Sequence, residues 1–309
     1  MKVAFVFPGQ GSQSVGMMSS FADNSAVMET FSEASLALGE DLWQMVAEGP
    51  AERINSTVNT QPVMLTAAYA VYRAWLAAGG TKPVMFAGHS LGEYTALVAA
   101  GVIPFTTAVP LVRFRAQAMQ EAVPVGTGAM AAILGLDDDA VRKACAASAQ
   151  GQVVEPVNFN APSQVVIAGN KEAVERGAAA AKTLGAKRAV MLPVSAPFHS
   201  SLLRPAAERL ADHMRPLAFS PAHLPVVNNV DVEVVTDPDS IKAALARQAC
   251  NPVRWVEVIR HMAASGITHV VECGPGKVLA GLTKRIEPSL TGLSISDATA
   301  LEQVLEALK

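Results

Sequence analysis

Of 309 residues, 50% are hydrophobic, 17% charged and 5% aromatic, which excludes disorder, collagen-like repeats and a coiled coil and describes one or two domains with a sizeable core. Lys+Arg 24 against Asp+Glu 27 leaves a formal charge of −3, so no basic field is present for a nucleic-acid backbone. The three cysteines, Cys145, Cys250 and Cys273, lack the short spacing of a zinc or iron–sulfur site and read as reduced thiols of a cytoplasmic protein.

Residues 2–7 form an apolar run that ends at Pro8-Gly9-Gln10-Gly11, too early for a signal peptide, and they predict a first strand. Helical sequence follows, including residues 62–78, where Val63, Ala67, Ala70, Val71, Ala74 and Trp75 recur at helical spacing before Gly79-Gly80 stops the run. Residues 84–87 predict a second strand of a buried parallel sheet, and residues 93–100 the helix after it. The uncharged stretch 94–112 is about as long as a membrane span. Gly101, Pro104, Thr106, Thr107 and Pro110 divide it into helix, turn and helix, so no membrane association is expected.

After Pro124-Val125-Gly126 the units shorten. Residues 130–134, 153–157, 165–168 and 187–192 read as strands and residues 138–148 and 171–184 as helices, giving βαββαβ, the split motif of a ferredoxin-like unit. We therefore expect a small subdomain at 125–196 inserted into a larger α/β domain made of 1–124 and 197–309. Helices return from Ser200, followed by strands at 225–228 and 268–272.

Gly88-His89-Ser90-Leu91-Gly92 fits the G-x-S-x-G elbow, with the strand before it and the helix after it that the mechanism requires. Ser90 is the candidate nucleophile, and the backbone N–H of Leu91 a candidate oxyanion donor; the alternative is a glycine-rich turn with a surface serine. Of the six histidines, His199 follows a strand and precedes a helix start, which makes it the candidate base; a hydrogen-bonded loop histidine is the competing reading. No acidic residue between Ser90 and His199 stands at the end of a large-domain strand, so a carbonyl or amide must orient the imidazole.

On the helix after Thr107, Ala108, Leu111, Val112, Arg115, Ala118, Met119 and Ala122 share one face at about 100° per residue. Arg113 lies on the other face and reads as solvated. A guanidinium in an apolar layer costs several kcal/mol unless paired. The partner of Arg115 is either an internal carboxylate such as Glu93 or the carboxylate of a substrate gripped bidentately. Neither Gly9-Gln10-Gly11 nor Gly276-Lys277 meets a nucleotide-binding pattern; the first loop can instead supply a second oxyanion N–H, from Gln10.

Together these residues resemble the malonyl-CoA:acyl carrier protein transacylase family. Phe7-Pro8-Gly9-Gln10-Gly11-Ser12-Gln13, the elbow through Glu93-Tyr94, Val157-Asn158-Phe159-Asn160-Ala161-Pro162, and Pro193-Val194-Ser195-Ala196-Pro197-Phe198-His199 are similar to its successive motifs. So are Arg247-Gln248, Asn251-Pro252-Val253-Arg254-Trp255 and Glu272-Cys273-Gly274-Pro275-Gly276-Lys277-Val278-Leu279. The resemblance implies a hydrolase-like large domain with a ferredoxin-like insertion, acting as a monomer without a cofactor. It implies ping-pong transfer of malonyl from malonyl-CoA through a Ser90 ester to the phosphopantetheine thiol of an acyl carrier protein. His199 would be the base, Gln10 and Leu91 the oxyanion donors, Arg115 the carboxylate clamp, and Gln248 the carbonyl that orients His199. Phe198 replaces the small residue of many stand-alone bacterial members; in modular polyketide relatives a phenylalanine there accompanies malonyl rather than methylmalonyl selection, which leaves fatty acid and polyketide pathways both open. The alternatives are a serine thioesterase or esterase on the same scaffold, and a non-catalytic carrier-binding protein. An acidic carrier would need a basic surface, for which Lys187, Arg188, Arg204, Lys277, Lys284 and Arg285 are candidates.

Overall fold

The computed structural model describes residues 1–194 and 196–309. The chain runs β1 (Val3–Phe7), α1 (Ser25–Leu38), α2 (Leu42–Glu48), α3 (Ala51–Asn55), α4 (Thr57–Ala77), β2 (Met85–Gly88), α5 (Leu91–Ala99) and α6 (Phe105–Glu121). A compact series follows: β3 (Gly128–Leu134), α7 (Asp138–Ser148), β4 (Val154–Ala161), β5 (Gln164–Asn170), α8 (Lys171–Thr183) and β6 (Arg188–Met191). The remainder is α9 (Arg204–Met214), β7 (Val226–Val227), α10 (Pro238–Gln248), α11 (Trp255–Ala264), β8 (His269–Cys273), α12 (Val278–Ile286), β9 (Thr291–Ile295) and α13 (Ala298–Ala307).

Two sheets result. The larger is parallel throughout, in the order β7-β2-β1-β8-β9. Its central strands β1 and β2 are buried along their whole length, because helices cover both faces; this is why they read as continuous apolar runs rather than alternating ones. The smaller sheet is antiparallel in the order β4-β5-β3-β6, the pairing that a βαββαβ unit adopts. Its strands all fall within 128–191, whereas the larger sheet draws strands from both sides of that interval. The fold is a hydrolase-like α/β domain carrying a ferredoxin-like unit.

Backbone bonds tie the smaller sheet to the segment before α11. Phe159 N donates to Val253 O at 3.0 Å and Val253 N to Val157 O at 2.8 Å, so β4 lies against the segment that leads into α11. Ser201 grips Glu155 from the other side, through N and Oγ at 2.8 Å each. β4 also meets the carboxyl end of β2, through Asn160 and His89, and ligands collect at such strand ends in folds of this kind.

Three sequence expectations need correction, and one strand went unread. The helix expected at 62–78 begins at Thr57, with Pro62 inside it; the amides of Asn59 and Thr60 both bond Ser56 O at 2.8 Å and nucleate a turn ahead of the proline. The strand expected at 225–228 has only two ladder residues. β9, whose sequence TGLSI is half-exposed at the sheet edge, carries too little apolar signal to be read beforehand. Arg113 is not solvated: its side chain is 16% exposed and forks onto Glu40 of the turn after α1 at 2.9 and 3.3 Å, and that pairing holds the Glu40 carboxyl below its ordinary value.

Candidate active site

The elbow is dictated by close approach of backbone. A Cβ on Gly88 would stand 1.9 Å from the backbone of Gly92, and one on Gly92 would stand 2.0 Å from Phe7 O, so α5 can start this close to β1 and β2 only with glycine at both places. Between them Ser90 takes φ 53° and ψ −108°, a conformation that costs on the order of 1–3 kcal/mol and persists only where its surroundings enforce it. Asn229, just after β7, does so: its Oδ1 accepts from Ser90 N at 2.8 Å and its Nδ2 donates to Gly88 O at 2.8 Å. Leu91 follows as the first residue of α5 and is buried. A helix's first amide has no acceptor within the helix, so the Leu91 N–H stands free to receive developing negative charge beside Ser90.

His199 reaches Ser90 from the segment between β6 and α9. Its Nε2 is 2.7 Å from Ser90 Oγ, and its Nδ1 is 2.7 Å from the backbone carbonyl of Gln248, the last residue of α10. A carbonyl can only accept, so Nδ1 carries the proton and Nε2 presents its lone pair to the serine O–H. His199 also sits at φ 66°, so both members of the pair occupy backbone that L side chains rarely adopt. Burial, and after it the charge of Arg115, depresses the His199 pKa to about 3. The imidazole is therefore neutral, a base ready to accept, at all physiological pH values. Phe198 precedes it and is buried in the large-domain core. Ser195 lies outside the described residues.

Arg115 of α6 is 1% exposed. Nη1 donates to Gln61 Oε1 at 2.8 Å, and Nη2 donates to Gln248 Oε1 at 2.9 Å and to Ser90 Oγ at 3.1 Å. Every acceptor is neutral, and Nε has none. The internal carboxylate weighed for this role, Glu93, is engaged elsewhere: its Oε2 accepts from Asn229 N and Gln248 Nε2 at 2.9 Å each. Burial lowers the Arg115 pKa, while Tyr94 and Glu93 oppose that shift through space; an arginine so perturbed remains a cation at neutral pH. The geometry thus leaves a positive fork, short of an anion, against the reactive oxygen.

The structure joins Ser90, His199, Arg115 and Gln248 into one hydrogen-bonded cluster. Gln10 lies in the turn after β1, the strand beside β2, and its side chain is tied to Thr57 at 3.1 Å. His89 turns away from the serine: its Nε2 donates to Asn160 Oδ1 of β4 at 2.8 Å, which pins the smaller sheet to the elbow, and burial lowers its pKa. Sequence reasoning missed Gln61 and Asn229. Gln61 carries the same signal that exposed Arg115, a polar side chain on the buried side of an apolar helix, and Asn229 stands just past a strand's carboxyl end.

Among the described residues no group of His, Cys, Asp and Glu could hold a metal ion, and no helix is long and apolar enough to cross a membrane.

The acyl transferase domain family matches residues 4–299. The chain is 57% identical over 304 residues, 98% of each sequence, to the malonyl CoA-acyl carrier protein transacylase of Escherichia coli strain K12. Its structure superposes with a TM-score of 0.98 on the acyl-carrier-protein S-malonyltransferase of Burkholderia pseudomallei 1710b, at 63% identity and covering 99% of this chain and 100% of that one. The same TM-score, at 50% identity and with 99% and 100% coverage, relates it to a malonyl-transacylase solved in complex with its type II PKS acyl carrier protein. The chain therefore belongs to the malonyl-CoA:acyl carrier protein transacylase family.

Proposed function

We propose that this acyltransferase moves malonyl from malonyl-CoA to the phosphopantetheine thiol of an acyl carrier protein through an ester on Ser90. The observation that carries the reading is Arg115: a buried guanidinium with only neutral acceptors, 3.1 Å from Ser90 Oγ. A diacid thioester presents its free carboxylate to that fork and its reacting carbonyl to the serine.

In the first half-reaction Ser90 Oγ attacks the thioester carbon while its proton passes to His199 Nε2. The oxyanion is met by the N–H of Leu91 and by that of Gln10 from the neighbouring loop. The C–S bond then breaks, and His199 returns the proton to the coenzyme A sulfur. In the second half the carrier thiol gives its proton to His199 and attacks the ester, and Ser90 Oγ leaves as a hydroxyl. Gln248 O keeps the imidazole in the required tautomer throughout, in place of an acidic residue.

A carrier thiol, whose pKa is about 8.5, gives up its proton far more readily than water and is the stronger nucleophile toward the ester. That difference favours transfer over hydrolysis. Phe198, on this reading, fills the space a 2-methyl group would occupy. The reading needs no cofactor, and the reduced thiols, two of them buried, fit a cytoplasmic setting.

The test is to load the protein with malonyl-CoA and follow the acyl group with and without a phosphopantetheinylated carrier. Malonyl should accumulate on the carrier and free malonate form slowly. Rapid malonate release in water without a carrier would make the protein a thioesterase instead, and tight carrier binding without any adduct would make it a non-catalytic binder.

A further inference from the structure

Asn229 enforces the strained backbone of Ser90, and His199, at φ 66°, needs a counterpart. The Gln248 carbonyl holds the ring of His199, not its main chain. Two contacts from the inserted unit straddle the residue. Two positions before it, Pro197 lies so close to Gly128, the first residue of β3, that a Cβ there would stand 2.4 Å from Pro197 Cδ. Two positions after it, Ser201 opens the helical turn Ser201–Leu203 that leads into α9. Ser201 N donates to Oε2 of Glu155 on β4, and Ser201 Oγ to Oε1, at 2.8 Å each. A carboxylate offers acceptors only, and each of its oxygens takes one donor here, one of them a first-turn amide without an acceptor inside the helix. Such a two-point grip fixes direction as well as distance. Ser200 carries it back to the histidine, because its Oγ closes the turn around His199 onto Pro197 O at 2.7 Å.

We propose that Glu155 is a positioning residue: by clamping Ser201 it keeps the His199 main chain where Nε2 meets Ser90 Oγ, so that the inserted unit holds the base to the nucleophile. This rests on the acyl-transfer reading above. Glu155→Ala removes both acceptors. Glu155→Gln keeps the grip, since its oxygen can accept from Ser201 N and its NH2 can donate to Ser201 Oγ, a hydroxyl that also accepts. Ser201→Ala removes one of the two bonds and leaves Glu155 in place.

The test follows Ser90 malonylation of the full-length protein by intact mass over a range of malonyl-CoA concentrations. It compares wild type, the three variants, and Glu155→Ala and Ser201→Ala each combined with His199→Ala. Glu155→Ala should lower the limiting rate about tenfold or more, the scale of a lost hydrogen bond to a charged group. The half-saturating malonyl-CoA concentration should not change, because the imidazole takes a proton and binds no part of the thioester. Ser201→Ala should lower the limiting rate in the same manner but by less, and Glu155→Gln should retain most of it. Once His199 is alanine, neither Glu155→Ala nor Ser201→Ala should lower the rate further. A merely structural role lowers it by the same factor with and without His199. That result, a loss confined to half-saturation, an unchanged rate in Glu155→Ala, or Glu155→Gln as slow as Glu155→Ala overturns the proposal. If Glu155→Ala does not fold, Ser201→Ala in the two backgrounds decides alone. A wild-type protein that takes up no malonyl fails the acyl-transfer reading itself, which is distinguishable from loaded wild type with variants that load equally fast.

Discussion

Arg115 Nη2 and Ser90 Oγ are 3.1 Å apart. The cation that would hold one end of a malonyl group and the oxygen that would take the other are therefore set against each other by the fold, through α6 and the turn after β2. When a malonyl thioester docks, its carboxylate would take over the Nη2 hydrogen that Ser90 Oγ accepts, leaving Oγ paired with His199.

Arg115→Ala should accordingly lower the rate of Ser90 malonylation by about a hundredfold, the loss of a charge-assisted bidentate pair in a buried site. Acetylation, which has no carboxylate to place, should be unchanged or faster. Stopped intact-mass time courses with the two thioesters measure both; equal loss for the two acyl groups would show that Arg115 supports the elbow rather than the substrate.

The pH dependence follows from His199, whose pKa is depressed to about 3 by burial and then by Arg115. A base with a lowered pKa stays unprotonated as pH falls through 6.5, so kcat/KM for acetyl-CoA should hold level from pH 8 to pH 5. Removing the Arg115 charge takes away one of the depressing influences, the others being burial and His89, and in Arg115→Ala the acid limb should move to higher pH. A wild-type limb centred near 6.5 would mean that the imidazole is solvated when it works.

Phe198→Ala should raise the rate with methylmalonyl-CoA relative to malonyl-CoA by about tenfold, the scale on which a pocket discriminates one methyl group. Competition between the two thioesters, resolved by the mass of the adduct, gives the ratio directly. An unaltered ratio would place the steric filter elsewhere.

Much of this architecture was legible in the amino-acid order because the physics is local. The elbow shows itself as a strand, two glycines around a serine, and a helix, and the βαββαβ series shows itself through period and turn residues. Arg115 was legible as a charge on an apolar face. The groups that hold these parts in place were not, since they act across long separations: Asn229 bonds Ser90 N from 139 positions away, and Gln61 meets Arg115 from 54 away. Nothing in either residue's own neighbourhood names its partner. The carbonyl that orients His199 belongs to a backbone and has no side-chain signature at all, so only the resemblance pointed to Gln248. Arg113 was misread because its partner Glu40 is 73 positions distant, and helical phase alone cannot tell a solvated face from one covered by a loop.

Glu272 gives an independent check on the fold's electrostatics. It is fully buried, one oxygen accepts from Ala280 N at 2.9 Å and the other has no partner. Burial, opposed by the first amides of α12, raises its pKa to about 7. An acid with a raised folded-state pKa contributes stability that is full below its unfolded value near 4.5 and is lost as pH rises through 7. Glu272→Gln cannot ionise, so between pH 5 and pH 8 it should lose less stability than wild type, by roughly 1–3 kcal/mol. Denaturant titrations at the two pH values measure the difference; parallel losses would show that the carboxyl is already ionised at pH 5.

The most direct measurement is the intact mass of the protein after brief exposure to malonyl-CoA, for wild type and Ser90→Ala side by side. The expected result is one added malonyl group on wild type, discharged by a phosphopantetheinylated carrier, and no addition to Ser90→Ala. No adduct on wild type, or the same adduct on Ser90→Ala, would contradict the assignment of Ser90 as the acyl-bearing oxygen.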